Sequence, residues 1–425
     1  VGMNVSGVLT LDDVGLGGKV VLYRVDVNSP LEPSTGAFLD DSRLRAILPT
    51  LRSLQNSKVV MIGHQSRPGK NDFTDMSQHA DRISRLIGKK IHFVSDICGD
   101  KAITAIKKLK IGEMLFLDNI RMHDDENSMK KASPEKTATS EIVQKLAPLI
   151  DVYVTDAFAA AHRNSPSLTG FSEVVPCIAG RLMAKEIDNL QIAVNDPPRP
   201  YIAILGGTKC DDSLRVAKNL IDKEIIDSIP VVGVVGNMML WASGVDIGEG
   251  NKSFIRNTLG DAFEETWEMA VYLHDNHSEY FLLPADVAVE LNGDRVAMMV
   301  DDLPTGNPIY DIGIQTLQEI SPLLINAGCI LWNGPASYFE LPGFAFGTIE
   351  ILNMCIESSA VTIVGGGHTS SLVSNRGAVD QVTHNSTGGG ACLTMLSGGF
   401  MPVIDSLNRS NTKFRPILDA LGIKK

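Results

Sequence analysis

The 425-residue chain reads as an α/β protein: two Rossmann-like lobes with parallel sheets, joined by a hinge helix. Three observations carry this expectation. The length exceeds the roughly 250 to 300 residues at which single hydrophobic cores stop growing. Short runs rich in Val and Ile alternate with stretches of helical period, the pattern of parallel strands with crossover helices. A helical segment at 179–195 separates two such halves and closes on the breaker Asn195-Asp196-Pro197-Pro198.

Taken in order, the first-half strands are expected at 20–27, 59–63, 114–117 and 152–154, and the second-half strands at 202–205, 231–235, 328–332 and 361–364. Each run ends in a loop carrying polar residues or glycines. Ligands of open α/β sheets sit beyond the carboxyl ends of the strands, so those loops are where function is to be sought. No repeat of 20 to 50 residues and no low-complexity tract interrupts the pattern.

Composition narrows the classes further. A 44% hydrophobic and 21% charged chain is typical of a folded domain, and no apolar run approaches the ~20 residues of a membrane helix, so no membrane role is expected. The net charge of −12 argues against nucleic acid as a partner, because phosphate-backbone binding shows as a basic excess. Six cysteines are scattered without a Cys-x-x-Cys pair and read as buried or free thiols in a reducing compartment. With neither a basic n-region nor an apolar h-region at the N-terminus, a cytoplasmic protein is expected.

Cations mark the first half. Arg43 (DDSRLRA), His64 and Arg67 (GHQSRP), Arg121 (DNIRMH) and Arg163 (AAAHRN) stand in separate loops at one predicted sheet edge. A lone arginine is ordinarily a surface ion pair. Several planar guanidinium forks gathered in an acidic protein instead make a local positive well suited to carboxylate or phosphate. Asp26 and Asn28, in RVDVNSP, are placed to bond a substrate hydroxyl or to close an Asx-turn.

Glycines mark the second half: Gly206-Gly207-Thr208-Lys209, Gly365-Gly366-Gly367-His368-Thr369 and Ser386-Thr387-Gly388-Gly389-Gly390. One such cluster is most often a turn. Three after apolar runs suggest backbone N–H groups approaching phosphate oxygens, with Lys209 adding a full charge. There is no Walker-type loop; 63–70 places its second glycine one position late and continues with Asn71. Residues 365–370 partly match a dinucleotide fingerprint, with Ser370 at the third glycine position, which keeps a dehydrogenase as the alternative. His274 and His277, with no cysteine nearby, read as a helix end rather than a metal site.

In sequence order, YRVDVNSP, DDSRLRA, GHQSRP, FLDNIRMH, VYVTDAFAAAHR, AILGGTK, DIGIQTL, LWNGPASYFE, TIVGGGHT and HNSTGGGA span nearly the whole chain. This set resembles the phosphoglycerate kinase family, and HQSRPGK with GGGHT is most similar to its archaeal branch. The resemblance implies an N-terminal domain at 1–178 that binds 3-phosphoglycerate through Asp26, Asn28, Arg43, His64, Arg67, Arg121 and Arg163. It implies that 405–425 packs back on that domain, that 179–195 is the interdomain helix, and that 196–404 binds the nucleotide through Gly206, Gly207, Lys209, Gly236, Asn333, Glu340, Gly366, Gly367 and Thr369. Glu340 would hold ribose hydroxyls, and Glu186 and His384 would be hinge contacts.

The implied activity is reversible phosphoryl transfer between ATP and 3-phosphoglycerate, giving ADP and 1,3-bisphosphoglycerate, in glycolysis or gluconeogenesis. Mg2+ is the implied cofactor, and the chain would be a monomer or homodimer. Arg43, Lys209, Gly367 and Gly390 would share the charge of the moving group. Three positions depart from the family pattern. Ser213 replaces a second lysine, leaving Arg215 or Lys218 to supply its charge or one phosphate less firmly held; the glycine cluster after the second strand of this half is reduced to Val235-Gly236-Asn237; and His368 replaces a metal-contacting aspartate, so the metal ligands stay unassigned.

Overall fold

The computed structural model describes residues 7–422; the outer limits of the expected domains, 1 and 425, lie outside the described residues. The chain divides into one unit of residues 1–187 with 400–425 and a second of residues 188–399.

The sheet of the first unit holds β1 (Val20–Arg24), β2 (Lys58–Ile62), β3 (Ile91–Val94), β4 (Met114–Leu117), β5 (Val152–Thr155) and β6 (Cys177–Ala179), in the order β3-β4-β2-β1-β5-β6. Every pairing is parallel. Helices cover both faces, so the strands are buried on both sides and read as nearly unbroken apolar runs. Strand order reverses between β1 and β5, and the loops after those two strands therefore diverge to leave a crevice at the carboxyl edge.

The helix Pro402–Lys413 completes this unit. Its Ser410 hydroxyl accepts the Cys177 N–H at 2.8 Å, Val403 N–H reaches Ala161 O at 3.2 Å, and Arg409 pairs with Glu135 and Glu173.

The second unit is built around β7 (Tyr201–Leu205), β8 (Ile229–Pro230), β9 (Phe281–Leu282), β13 (Cys329–Asn333), β14 (Val361–Gly365) and β15 (His384–Asn385). The parallel order β15-β14-β13-β7 continues through isolated bridges from Ile202 and Leu205 to Ser228 and Val231, beside the parallel pair β8-β9. Here the order reverses between β7 and β13. A separate antiparallel sheet, β11-β10-β12, joins β10 (Asp286–Leu291), β11 (Asp294–Met299) and β12 (Ile309–Ile312).

One expected strand is corrected. The run 231–235 is extended only at its start: Gly233 takes φ 59° and opens the helix Gly233–Ala242. Val234 and Val235 are β-branched, yet the helix is buried along much of its length, and packing overrides a propensity of a few tenths of a kcal/mol per residue, as a rough guide. The antiparallel sheet, β3 and β6 were not anticipated.

The helix Arg181–Val194 falls within the segment expected at 179–195, and the division between the two units lies inside it. Its first turn is anchored in the first unit: buried Asp156 accepts the N–H groups of Leu182 at 3.0 Å and Met183 at 3.2 Å, and Thr50 Oγ1 accepts that of Arg181 at 2.9 Å. The Tyr23 hydroxyl donates to the other Asp156 oxygen. A carboxylate at a helix N-terminus satisfies donors that have no partner within the helix. Room for it exists only because residue 180 is glycine; a Cβ there would lie 2.1 Å from Asp156 Oδ1. Gly180→Ala is therefore expected to destabilise the protein by about 2 kcal/mol, read as a lower urea midpoint of the first unit; an unchanged midpoint would show that Asp156 does not anchor the helix.

Candidate functional site

The crevice between β1 and β5 gathers the cations singled out above. Arg24 closes β1, and Asp26 and Asn28 follow it in the loop beyond the strand. Arg24 is buried. Its Nη2 lies 3.2 Å from His64 Nδ1, its Nη1 donates to Val25 O at 2.6 Å, and its Nε donates to Ser167 Oγ at 3.0 Å. That serine passes its own proton to buried Glu126 Oε1 at 2.6 Å. Arg43, half-buried, pairs with buried Asp26 at 2.9 Å.

The loop after β2 carries His64 and Arg67, and the short turn Ile120–Met122 after β4 carries Arg121. Arg121 Nη1 donates to Ser66 O at 2.6 Å, and Asn28 Oδ1 accepts the Ser66 N–H at 2.8 Å, a contact across loops rather than a local turn. Arg163, exposed after β5, donates to His162 Nε2 at 3.3 Å.

A guanidinium has no lone pair to give, so His64 Nδ1 accepts from Arg24 and the ring is neutral with its proton on Nε2. The electrostatics agree. Burial pushes the His64 imidazole well below its ordinary value, and Arg24, Arg121, Arg43 and Arg163 push it further. The Arg121 guanidinium is itself driven down to about 10, by burial first and then by Arg24 and Arg163. Arg24, Arg43, Arg121 and Arg163 thus act on His64, and Arg24, Arg163 and Arg67 act on Arg121. Arg24 was missed by sequence reasoning although a charge in the middle of the apolar run VVLYRVDV was its signal.

In the second unit the loops after β7 and β13 interlock. Gly206 N–H donates to Asn333 O at 2.9 Å and Gly207 N–H to Pro335 O at 2.8 Å. A Cβ on Gly206 would lie 2.5 Å from Pro335 O, and one on Gly334 2.1 Å from Gly206 O. These two glycines serve the fit between loops. Lys209 is exposed at the start of the helix Cys210–Asp222.

The loop after β14 joins the same cluster. Buried Thr369 accepts the Gly334 N–H at 3.1 Å and donates to Gly365 O at 2.6 Å. Gly366 takes φ 83° just before the helix Gly367–Asn375, beside the Asn333 amide oxygen, which is buried without a hydrogen-bond partner. Gly367 has open space where a side chain would stand. Ser370 Oγ donates to Ser386 O at 2.6 Å, tying in the loop that ends at exposed Gly390. Because the sheet is parallel, helix N-termini point their N–H groups toward this edge.

Several expected positions fall elsewhere. Gly236 is buried inside the helix Gly233–Ala242, where a Cβ would lie 2.9 Å from Val231 O; the glycine at the loop cluster is Gly233, whose Cβ would be 2.6 Å from Pro335 O. Arg215 and Lys218 lean toward the helix Phe263–His277: Arg215 sits 4.0 Å from Glu265, and Lys218 lies 5.8 Å over the Tyr272 ring. Ser213 itself is fully buried. His368 is exposed, its Nδ1 3.6 Å from Glu340 Oε1. By contrast, Glu186 and His384, expected as hinge contacts, are both buried and engaged with other groups.

Comparison with known proteins follows this geometry. Residues 11–399 match the model of the family described as Phosphoglycerate kinase. A relative named phosphoglycerate kinase, from Methanobacterium bryantii, is 40% identical over 408 residues, covering 96% of this chain and 98% of the relative. A second, named phosphoglycerate kinase 2, from Methanosarcina acetivorans, is 41% identical and covers 96% of both chains. Among solved structures, phosphoglycerate kinase from Pyrococcus horikoshii OT3 aligns with a TM-score of 0.86 at 36% identity, over 96% of this chain and 100% of that one. The enzyme from Coxiella burnetii aligns at 0.78 and 29% identity, over 94% and 98%.

The cation cluster makes a pH prediction. Folding lowers the His64 pKa below its unfolded value near ~6.5, so the unfolded chain binds the proton more readily and stability is lost as pH falls below that value. Ring-nitrogen NMR should find His64 still neutral where solvent-exposed imidazoles are protonated, and its pKa should rise when a phosphate-bearing anion enters. A ring that titrates like a free imidazole would contradict the buried arrangement.

Proposed function

The chain belongs to the phosphoglycerate kinase family, and on that premise we propose that it moves a phosphoryl group reversibly between ATP and the carboxylate of 3-phosphoglycerate, giving ADP and 1,3-bisphosphoglycerate. The observation that carries the reading is the gathering of Arg24, Arg43, Arg121 and Arg163 around buried His64, a concentration of positive charge that an acceptor bearing both phosphate and carboxylate would relieve.

The 3-phosphoglycerate is read into the crevice of the first unit, against Asp26, Asn28, Arg43, His64, Arg67, Arg121 and Arg163. The nucleotide is read onto the loop cluster of the second, against Gly206, Gly207, Lys209, Asn333, Glu340, Gly366, Gly367 and Thr369, with Gly233 in place of Gly236. Gly206 acts there through the loop–loop fit, and Thr369 through its bonds to Gly334 and Gly365.

The chemistry asks little of acid–base groups. A carboxylate with a pKa near ~4 is already ionised at neutral pH, so it attacks the γ-phosphorus without a base, and ADP leaves in line. What remains is to position the reactants and to oppose charge on the three equatorial oxygens of the moving group. Arg43 and Lys209 supply full charges, and the N–H groups of Gly367 and Gly390 supply dipoles. With donor and acceptor on separate units, transfer requires the units to approach and shed water that would otherwise hydrolyse ATP.

Mg2+ would accompany the nucleotide. No group of three His, Cys, Asp or Glu among the described residues is placed to hold a metal, and imidazole is a poor ligand for this hard cation. The side chains present do not build a magnesium site of their own, so an ion carried on phosphates and water suits the second unit better. Cytoplasmic location and a monomeric or homodimeric state belong to the same reading; no helix among the described residues is long and apolar enough to cross a membrane.

In a coupled assay for ADP formation with 3-phosphoglycerate, Arg43→Ala and Lys209→Ala should each lower turnover by about 100-fold or more with circular dichroism unchanged. A full-rate Lys209→Ala enzyme would remove that residue from the transfer step. Mg2+ titration of His368→Asp should reach half-maximal rate at a lower metal concentration than wild type, because an added carboxylate gives the ion a hard ligand; equal curves would show that position 368 is remote from the metal.

A further inference from the structure

Ser66 sits in the loop after β2 at φ 57°, in the left-handed region that a side chain disfavours. Such conformations persist only where the surroundings over-determine them, and they gather at functional sites. Here three contacts do so: Ser66 N–H donates to Asn28 Oδ1 at 2.8 Å, Ser66 Oγ donates to Asp72 Oδ1 at 2.5 Å, and Ser66 O accepts from Arg121 Nη1 at 2.6 Å.

The preceding residue is locked as firmly. Gln65 exchanges hydrogen bonds with both Ser29 backbone groups, at 3.1 and 2.9 Å, and its amide oxygen also meets His79 Nε2 at 3.0 Å. Asn119 grips the Gln65 carbonyl at 2.8 Å while taking the Arg121 N–H at 3.1 Å. Arg121 is thereby held at its backbone by Asn119 and at its guanidinium by Ser66. The direction of the second hold depends on the left-handed turn, since a change of φ and ψ at residue 66 swings its peptide planes and moves the carbonyl off the guanidinium.

We propose that Ser66 is a positioning residue for the anionic acceptor: its left-handed peptide aims a carbonyl at Arg121 and fixes that guanidinium among the other cations of the crevice, with Asn28 and Asp72 holding the peptide in place. The inference rests on the reading of this crevice as the 3-phosphoglycerate site. Among the described residues no carboxylate forms an ion pair with Arg121, and Glu126 acts on it only through space; a backbone carbonyl restrains it without neutralising it. The charge therefore stays available to an incoming anion while the geometry is set in advance.

Steady-state kinetics on three variants test this. A β-branched side chain tolerates the left-handed region worst and glycine best. Ser66→Val should raise KM for 3-phosphoglycerate at least ten-fold while KM for ATP stays within two-fold; Ser66→Ala should raise it less; and Ser66→Gly, which keeps the turn, should recover most of the loss. Should Ser66→Val misfold by circular dichroism, the Ala and Gly pair still decides the matter. A Val or Ala enzyme with the wild-type acceptor KM, equal rises in both KM values, or a Gly variant as impaired as Val would overturn the role of Ser66 alone. A wild-type enzyme inactive with 3-phosphoglycerate would overturn the functional reading and this inference together.

Discussion

Like charges held together inside a protein repel with little screening, and in the first unit that repulsion falls on one imidazole and one guanidinium. Burial first, and then neighbouring guanidinium groups that the fold does not allow to separate, keep His64 neutral and hold the Arg121 pKa down. Asp26 and Glu126 answer part of this charge, through Arg43 and through the Ser167 relay to Arg24. The remainder stays uncompensated in the folded state. Preorganisation of this kind is what charge-stabilising sites require, because the groups need not be assembled at the moment of reaction.

Topology explains why both crevices lie where they do. Strand order reverses between β1 and β5 in the first unit and between β7 and β13 in the second. In each case two loops diverge at the carboxyl edge of a parallel sheet, and the helices that follow aim N–H groups at the same edge. The first unit adds guanidinium groups to that common plan; the second adds glycines and a single exposed lysine. One architecture thus carries a cluster of cations in one unit and a junction of bare backbone in the other.

Much of this was legible in residue order. Fully buried parallel strands announce themselves as continuous apolar runs, and most of the expected strands fall within a residue or two of the observed ones. The run at 231–235 misled because Val is a strand former whose choice is made by packing, and a buried helix start looks the same in one dimension. The antiparallel sheet was hidden because β11 is half-exposed and mixed in composition, while the mostly buried β10 and β12 are short runs interrupted by Asp286, Glu290 and Asp311. Arg24 escaped notice because one charge inside an apolar run reads as part of a strand until its neighbours in space are known. The support given by Asn119, Gln65 and His79 has no signal in spacing at all: those contacts join loops far apart in sequence. The family finding removes the dehydrogenase alternative that a partial glycine fingerprint had kept open.

The interlocking of Gly206 with Gly334 leaves the donor loops with an uneven freedom to vary. Backbone oxygens fill the places where side chains would grow from either residue, so any other residue at either position would force the two loops apart. Thr208, Tyr338 and Glu340 are exposed on the same loops and can be exchanged without prying the cluster apart. Variation in this cluster therefore has to be written in those neighbours, around a junction that stays fixed.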